Sequence, residues 1–196
     1  MRPLSITAIK KSLQKVFWAY LTHNFVVTNM NDFKKIEPAL RCEFLPITLD
    51  NYFRVREFRE EGRVSEYRAK LTSKELGFFA EIGGKVVGSI WATVNHGDVP
   101  VVVRSYVRLK ANEALIHDVV TAEQFRGMRV GPFMLGGMCT CLLGESGVGK
   151  IIIDVNVRNS RSLRMMEKVG LQINQTTLSI SACGKLVSER LLRQYR

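Results

Sequence analysis

The segment ALIHDVVTAEQFRGMRVGP, residues 114–132, decides the fold that we predict for this chain. Its first part, Ala114–Thr121, is rich in apolar and β-branched residues and predicts a strand. A glycine-containing loop follows, and Gly127–Gly144 then predicts a helix rich in Met, Leu and Gly. A strand that leads through a loop into a helix directs the unpaired N–H groups of the first helical turn toward the end of that strand.

The loop in this segment favours an anionic ligand. Gly127 and Gly131 allow a close approach to the backbone, and Arg126 and Arg129 supply positive charge beside the start of the helix. These features suit a pyrophosphate. An ordinary basic turn with glycine caps explains this segment equally well, so a second motif has to decide.

Strands and helices alternate around this segment, with hairpins near both ends of the pattern. The predicted elements are strand Glu43–Ile47, helices Thr48–Glu61 and Val64–Thr72, a hairpin of Phe78–Ile82 and Val86–Val94, a strand within Val99–Tyr106, strand Lys150–Val155, helix Asn159–Val169, and a hairpin of Leu171–Ala182 and Lys185–Leu192. This order predicts a mixed α/β fold, with a central twisted mixed sheet and flanking helices.

The beginning of the chain has a different pattern, with apolar residues at helical spacing and lysines on the other faces. The apolar positions are Ile6, Ile9, Leu13, Val16, Phe17 and Tyr20, and the lysines are Lys10, Lys11 and Lys15. We predict a basic amphipathic helix over residues 6–20, within a helical extension over residues 1–41 that precedes a main domain over residues 42–196. Such a helix can lie on an anionic membrane surface, but we favour packing on the protein's own core.

The composition limits the class of protein. The chain has 196 residues, 46% hydrophobic content and a formal net charge of +11, which suits a globular domain and argues against a disordered chain. No uncharged apolar run is long enough to span a membrane, and lysines interrupt the place where a secretory signal needs apolar residues. The four cysteines lack metal-binding spacing, so we expect no metal and a soluble protein of the cytoplasm.

A second glycine-rich stretch, GESGVGK at residues 144–150, matches a phosphate-binding P-loop only in part. A P-loop needs Ser or Thr after its lysine to hold Mg²⁺, and Ile151 stands at that position. A predicted helix also precedes this stretch and a predicted strand follows it, which reverses the order of a P-loop. We therefore interpret it as a helix end and a turn.

The segment VNVRNSRSLRMMEKVGL, residues 155–171, resembles the signature Asn-x-x-Ala/Ser…Glu-Lys-x-Gly-Phe. Together with the loop Arg126–Gly131, it resembles the GNAT superfamily of N-acetyltransferases. The order of the predicted elements is also similar, and the resemblance covers residues 43–192. Two motifs at the expected separation support this resemblance better than either one alone.

This resemblance implies a sheet that splays apart between its fourth and fifth strands and binds acetyl-CoA in the opening. In such a fold, the strand end pairs with the pantetheine arm, the loop holds the pyrophosphate, and the second motif lines the pantetheine side. The residues at the matching positions are Val119, Val120, Thr121, Arg126, Gly127, Met128, Arg129, Val130, Gly131, Pro132, Asn159 and Ser162.

The chain departs from the family pattern at two positions. Arg129 stands where the loop motif has its first glycine, which bears on the affinity for CoA. Many members carry a Tyr in the second helix as the general acid, and the matching position here is Met166, which cannot donate a proton. A water molecule, Ser162 or no acid at all would then serve.

The candidates for the general base lie in the strand before the loop. In a regular strand Glu113, Leu115 and His117 project to one face and Asp118 to the other. The usual Glu position of the family falls on Leu115. His117 matches a position where some members, such as the serotonin-type arylalkylamine acetyltransferases, carry a catalytic His. We predict His117 as the base, with Glu113 acting through water as an alternative.

The predicted function is transfer of an acetyl group from acetyl-CoA to a primary amine by direct attack on the thioester. The acceptor is a small metabolite, an amino sugar or a protein amine, and the basic surface favours an acidic one. The alternative is a GNAT-fold module that binds acyl-CoA with weak or no catalysis. We do not favour nucleic acid as the partner, because the chain lacks a basic–aromatic binding motif. The oligomeric state, a dimer included, is left open.

Overall fold

A large mixed sheet organises the described part of the chain, residues 17–104, 106–144, 146–183 and 185–195 of the computed structural model. Its strands are β1 (Phe17–Val27), β2 (Glu43–Pro46), β3 (Leu76–Ile82), β4 (Lys85–Asn95), β7 (Glu113–Thr121), β8 (Lys150–Asn156), β9 (Gln175–Ala182) and β10 (Lys185–Gln194). Strands β5 (Val101–Val103) and β6 (Val107–Leu109) pair with each other in a small separate sheet. The α-helices are α1 (Arg63–Thr72), α2 (Val130–Gly144) and α3 (Ser160–Lys168).

The spatial order of the large sheet is β10-β9-β1-β8-β7-β4-β3-β2. Strands β7 and β8 run parallel, and the other neighbouring pairs of this sheet run antiparallel. The predicted mixed α/β sheet with flanking helices is therefore confirmed. Two glycines with positive φ, Gly83 at +57° and Gly84 at +79°, form the predicted turn between β3 and β4.

Strand β1 lies inside the sheet, between β8 and β9. Thr22 stands opposite Asn156 on one side and opposite Thr177 on the other. The helix predicted over residues 6–20 is therefore wrong for residues 17–20, and its remaining part lies outside the described residues. Pairing on both edges satisfies the backbone of β1 and overrides the helical spacing of its apolar residues. The boundary at residue 41 stays a prediction.

The two faces of the large sheet carry different layers. The first face is covered by α1 and by a short 3₁₀ helix, Tyr52–Glu57, which pack on a core that includes Phe79 and Trp91, at 1% and 0% exposure. The second face is covered by α2 and α3, and its core includes Met134 and Met138. None of the helices among the described residues combines the length and the hydropathy of a membrane-spanning segment.

Two local predictions differ from the structure. The helix predicted over Thr48–Glu61 is reduced to the 3₁₀ helix, because the side chain of Asn51 hydrogen-bonds to the backbone at Pro46 and Thr48 and holds the preceding residues in a turn. The single strand predicted within Val99–Tyr106 is replaced by the β5–β6 hairpin, which packs through Val107 and Leu109 against the first face of the sheet.

The parallel ladder between β7 and β8 is short. It runs from the pair Glu113–Lys150 to the pair Ile116–Ile153, although β7 continues to Thr121 and β8 to Asn156. A bulge in β7 lies just beyond this point, because Trp91 of β4 faces His117 while Ser89 faces Val120. The sheet therefore opens between β7 and β8 beside the residues that the sequence marked for a ligand.

Candidate active site

Two adjoining cavities form one cleft where β7, α2 and α3 meet. The larger cavity is about 450 Å³ and the smaller is about 270 Å³. The residues common to both are Thr121, Arg126, Gly131, Arg161 and Met165. Of the twelve residues predicted to hold a cofactor, all except Met128 line this cleft. Met128 instead packs against the core of the second face.

The loop between β7 and α2 has two residues in the left-handed region. Gly127 has φ +83° and Arg129 has φ +63°. Glycine adopts this conformation freely, whereas a residue with a Cβ is strained in it, so Arg129 occupies a position that glycine would fit better. Its side chain nevertheless lines the larger cavity.

Gly131, in the first turn of α2, keeps the cleft open. A Cβ atom at this position would come within 2.9 Å of Met165 Sδ on α3. Any side chain here would therefore fill the space between the two helices.

Positive charge surrounds the larger cavity. Besides Arg126 and Arg129, it is lined by Arg161, Arg164 and Lys168 of α3. These last three were missed in the sequence, although their spacing of three and four residues places them on one helical face. Asn159 caps the same helix, since its Oδ1 accepts a hydrogen bond from Ser162 N at 3.2 Å.

The register of α3 decides which of its side chains reach the cleft. Ser162 and Met165 line it, whereas Met166 is 1% exposed and belongs to the core. The position matched to the usual tyrosine acid therefore does not face the cleft in this chain. Ser162 is the hydroxyl of α3 that lines the smaller cavity.

His117 is buried on the first face of the sheet, at the point where β7 and β8 separate. Its Nε2 lies 3.0 Å from Thr93 Oγ1 and 3.2 Å from Glu75 Oε2. Its Nδ1 is also buried, and it has no hydrogen-bond partner in the described part of the chain. The ring is thus contacted at Nε2, whereas Nδ1 makes no hydrogen bond to the described residues.

Asp118 does not project away from His117 as a regular strand would require. It lies in the β7 bulge with φ +48°, and its carboxylate pairs with Lys70 and, at 3.4 Å, with Arg59, on the same side as α1. The predicted alternation is therefore wrong at this residue. Burial disfavours the charged form, but the two cations hold the pKa of Asp118 below its usual value.

Glu113 lies at the paired end of β7, four residues before His117, which is roughly 13 Å along a strand. Its carboxylate is 2.9 Å from Lys150 Nζ and accepts the backbone N–H of Lys110 at 2.9 Å. Burial opposes ionisation, but these two contacts hold the pKa of Glu113 below its ordinary value. The structure thus does not bring Glu113 to the opening of the sheet.

Tyr106 and Asp154 form a hydrogen-bonded pair on the β8 side of the opening. Tyr106 Oη donates a hydrogen bond of 2.5 Å to Asp154 Oδ2, and the Tyr106 ring stacks on Tyr20 with centroids 4.2 Å apart. Burial raises the pKa of Asp154. No local sequence pattern indicates this pair, because Tyr106 is 48 residues away from Asp154. No group of three or more His, Cys, Asp or Glu suited to a metal occurs within the described residues.

The sequence model of the Acetyltransferase (GNAT) family matches residues 39–171. A comparison with curated proteins gave no match. Among solved structures, the chain is similar to the glucosamine N-acetyltransferase region of a fungal multi-domain GH3 β-N-acetylglucosaminidase, with 15% identity and a TM-score of 0.58. That match covers 89% of this chain and 23% of the fungal chain, so this chain spans less than a quarter of that protein.

Two further structures have a similar fold. A GCN5-related N-acetyltransferase from Kribbella flavida is 8% identical with a TM-score of 0.54, over 93% of this chain and 67% of that one. The aminoglycoside N-acetyltransferase AAC(6')-Iy in complex with CoA is 12% identical with a TM-score of 0.53, over 67% of this chain and 88% of that one. At these identities the likeness concerns the fold alone.

Proposed function

Because this chain belongs to the GNAT family of acetyltransferases, we propose that it transfers an acetyl group from acetyl-CoA to a primary amine. The observation that carries the proposal is the cleft at the splayed strands, with five cationic side chains around its larger cavity. A diphosphate is a compact polyanion, and a helix start combined with several guanidinium groups is suited to bind it.

The residues of the cleft fit the parts of acetyl-CoA. The loop from Arg126 to Gly131 would hold the diphosphate through backbone N–H groups, and Arg161, Arg164 and Lys168 would add charge. Residues 119–121 of β7 lie beyond the ladder with β8, so their β8-facing backbone groups are available to an extended pantetheine arm. Gly131 leaves the space that such an arm needs.

The bound cosubstrate supplies the activated thioester, and the chain supplies proton transfer and orientation. His117 is the group that we assign as general base toward the acceptor amine, since it is buried at the opening and its Nδ1 has no hydrogen-bond partner among the described residues. Thr93 hydrogen-bonds to its Nε2, and Glu75 Oε2 lies 3.2 Å from the same nitrogen. Ser162 is the side chain that we assign to protonating the leaving thiolate, because it lines the smaller cavity.

The acceptor in this proposal is a small metabolite, an amino sugar or a protein amine. Two of the structural neighbours are named as N-acetyltransferases of glucosamine and of aminoglycosides. Both of these acceptors carry amino groups on sugar rings, which supports an amino sugar as the acceptor in this proposal. A cytoplasmic location stays a prediction.

The test is to follow the release of CoA when the purified protein is mixed with acetyl-CoA and a panel of primary amines. We expect turnover with at least one amine, and its loss in the variant His117→Ala. In parallel, binding of CoA is measured by calorimetry in the same preparations. A protein that binds CoA and turns over no amine would instead support the alternative, a GNAT-fold module that binds acyl-CoA without transferring it.

A further inference from the structure

The first face of the sheet carries a polar cavity that is separate from the cleft. It measures about 360 Å³, and its walls include Tyr106 and Arg108 of the β5–β6 hairpin together with residues of β1, β8 and β9. None of the described residues that line this cavity also lines the two cavities of the cleft. The proposed acetyl transfer therefore leaves it without an assigned occupant.

The floor of the cavity consists of hydroxyl and amide groups on two neighbouring strands. Thr22 of β1 stands opposite Thr177 of β9, and Asn24 stands opposite Gln175. Thr22 and Thr177 are each 3% exposed, yet their side-chain hydrogen bonds, to Asn24 at 3.4 Å and from Gln175 at 3.3 Å, are long. Burying polar groups costs free energy unless they are well hydrogen-bonded, so this floor favours a ligand that offers hydrogen-bonding groups.

Ser179 continues the floor, two residues beyond Thr177 in β9. It is 2% exposed, and its hydroxyl has no hydrogen-bond partner among the described residues. A buried hydroxyl without a partner has lost its hydrogen bonds to water and has gained none in exchange. An oxygen of a ligand in the cavity would supply the missing partner.

Cationic side chains line the end of the cavity that lies near the start of β7 and β8. Lys150 pairs with Glu113 at 2.9 Å, so these two residues offset each other's charge. Lys110 is held at the same end, because its backbone N–H donates to the Glu113 carboxylate. The side chains of Arg108 and Lys110 form no ion pair within the described part of the chain. Two cations are thus available to an anionic ligand.

Glu189 marks the other end of the cavity. It stands opposite Ser179 in the β9–β10 ladder, and Ser179 pairs with the first half of β1, whereas the start of β8 pairs with the last residue of β1. A carboxylate accepts hydrogen bonds from the hydroxyls of a ligand and repels an anionic group. The anionic group of a ligand therefore belongs at the end with Arg108 and Lys110.

We infer that this cavity binds a small hydroxylated anion, a sugar that carries a phosphate or a carboxylate. Arg108 and Lys110 bind the anionic group, and the hydroxyl and amide floor binds the sugar hydroxyls. This site goes beyond the proposed function, because its described residues are separate from those of the cleft. The sugar anion and CoA should therefore bind independently of each other.

The test is calorimetric titration of the whole protein with glucose 6-phosphate and with glucuronate, each in the absence and in the presence of saturating CoA. Glucose and inorganic phosphate are the matched controls. We expect at least one of the two sugar anions to bind about ten-fold more tightly than either control, because only the sugar anions offer both the charge and the hydroxyls. Preference for one of them distinguishes a phosphate ligand from a carboxylate ligand, and CoA should leave the affinity unchanged.

Two variants test the two parts of the site. Arg108→Ala should weaken binding of the sugar anion by about 10- to 100-fold, as for loss of a charged hydrogen bond, and Thr177→Val by about five-fold. Arg108 is exposed, and Val keeps the β-branched shape of Thr177, so both variants should fold. The matched controls, Arg68→Ala on α1 and Ser188→Ala on β10, alter exposed residues outside the cavity and should bind as wild type does.

Three results would overturn this inference. In the first, wild type binds neither sugar anion, or binds both no better than glucose or inorganic phosphate. In the second, Arg108→Ala and Arg68→Ala lose the same affinity. In the third, CoA displaces the sugar anion, which would place that anion in the cleft and not in this cavity. Failure of wild type to bind CoA would overturn the proposed function instead, and a separate CoA titration measures that.

Discussion

Gly131 and Met165 set the width of the cleft: a Cβ on Gly131 would lie 2.9 Å from Met165 Sδ. The Met165 side chain is flexible enough to move, so we expect Gly131→Ala to fold. The displaced side chain would occupy the cleft, and CoA binding should weaken by about ten-fold, as expected for overpacking. Calorimetric titration with CoA measures this change.

The control for this prediction lies one turn and a half later in the same helix. A Cβ on Gly136 would meet Phe33 Cε2 at 3.8 Å and Lys35 Cα at 3.9 Å, both ordinary contacts, so Gly136→Ala should leave CoA affinity unchanged. Equal affinities for Gly131→Ala and Gly136→Ala would show that the cleft is not where CoA binds.

Arg129→Gly should separate stability from binding. Arg129 has φ +63°, and removing its Cβ should raise the free energy of unfolding by about 1 kcal/mol. The same change removes a cation from the cleft, so CoA should bind more weakly. Denaturant unfolding and CoA titration report the two effects.

Arg126→Gly is the matched control, because Arg126 has φ −65° and is not strained. It also removes a cation from the cleft, but it adds flexibility to the unfolded chain and should lower stability. If the two glycine variants shift stability in the same direction, backbone strain at Arg129 is not significant.

The cationic face of α3 should contribute to the affinity for CoA. Arg164→Ala is expected to weaken CoA binding by about ten-fold at low salt, and less at high salt, because the interaction is electrostatic. Arg190→Ala, on the exposed strand β10, serves as the control of equal charge. An equal loss of CoA affinity in both variants would mean that the affinity depends on the net charge of the protein and not on the position of Arg164.

His117→Ala should reduce kcat by about 100-fold or more while CoA affinity stays unchanged, because in the proposed reaction the imidazole accepts the proton of the amine, and it does not line the cleft. Steady-state kinetics with the best amine of the panel, together with CoA titration, measure the two quantities. Undiminished kcat in this variant would remove His117 from the mechanism.

Asp118→Asn should destabilise the protein by about 3 kcal/mol at pH 7, since it removes the carboxylate that pairs with Arg59 and with Lys70, and the other ion pair of Lys70, with Glu66, spans 3.6 Å. The pKa of Asp118 is lowered in the folded state, so its stabilisation is present above the unfolded value of 3.8 and is lost as pH falls through the folded value. The difference in free energy of unfolding between wild type and variant should therefore become smaller below a pH of about 4. Urea unfolding at several pH values measures this difference.

In contrast to Asp118→Asn, we do not expect Asp154→Asn to lower the free energy of unfolding. The pKa of Asp154 is raised, so its charged form is disfavoured by folding, and the amide should leave stability at pH 7 unchanged or higher. Destabilisation as large as that of Asp118→Asn would indicate that Asp154 has a cationic partner inside the fold.

Much of the cleft could be predicted from the sequence because its parts are close in the chain. The loop after β7, the cap at Asn159 and the turn at Gly83–Gly84 depend on local conformation, and the structure places them as expected. The cations of α3 were missed, although their helical spacing is visible in the sequence. The helix predicted through Tyr20 was wrong. The apolar spacing there suits a helix or a strand, and only the pairing of β1 with β8 and β9 decides between them.

The sequence by itself determined the order of strand, glycine loop and helix, and with it the glycines and the two loop arginines at the cleft, because these follow from backbone preferences and residue types over a few positions. Only the tertiary structure decided how far β7 and β8 stay paired, which way Asp118 turns, and which groups meet His117 and Asp154. Those relations join residues dozens of positions apart. They depend on packing, bulges and the register between strands, which no local pattern specifies.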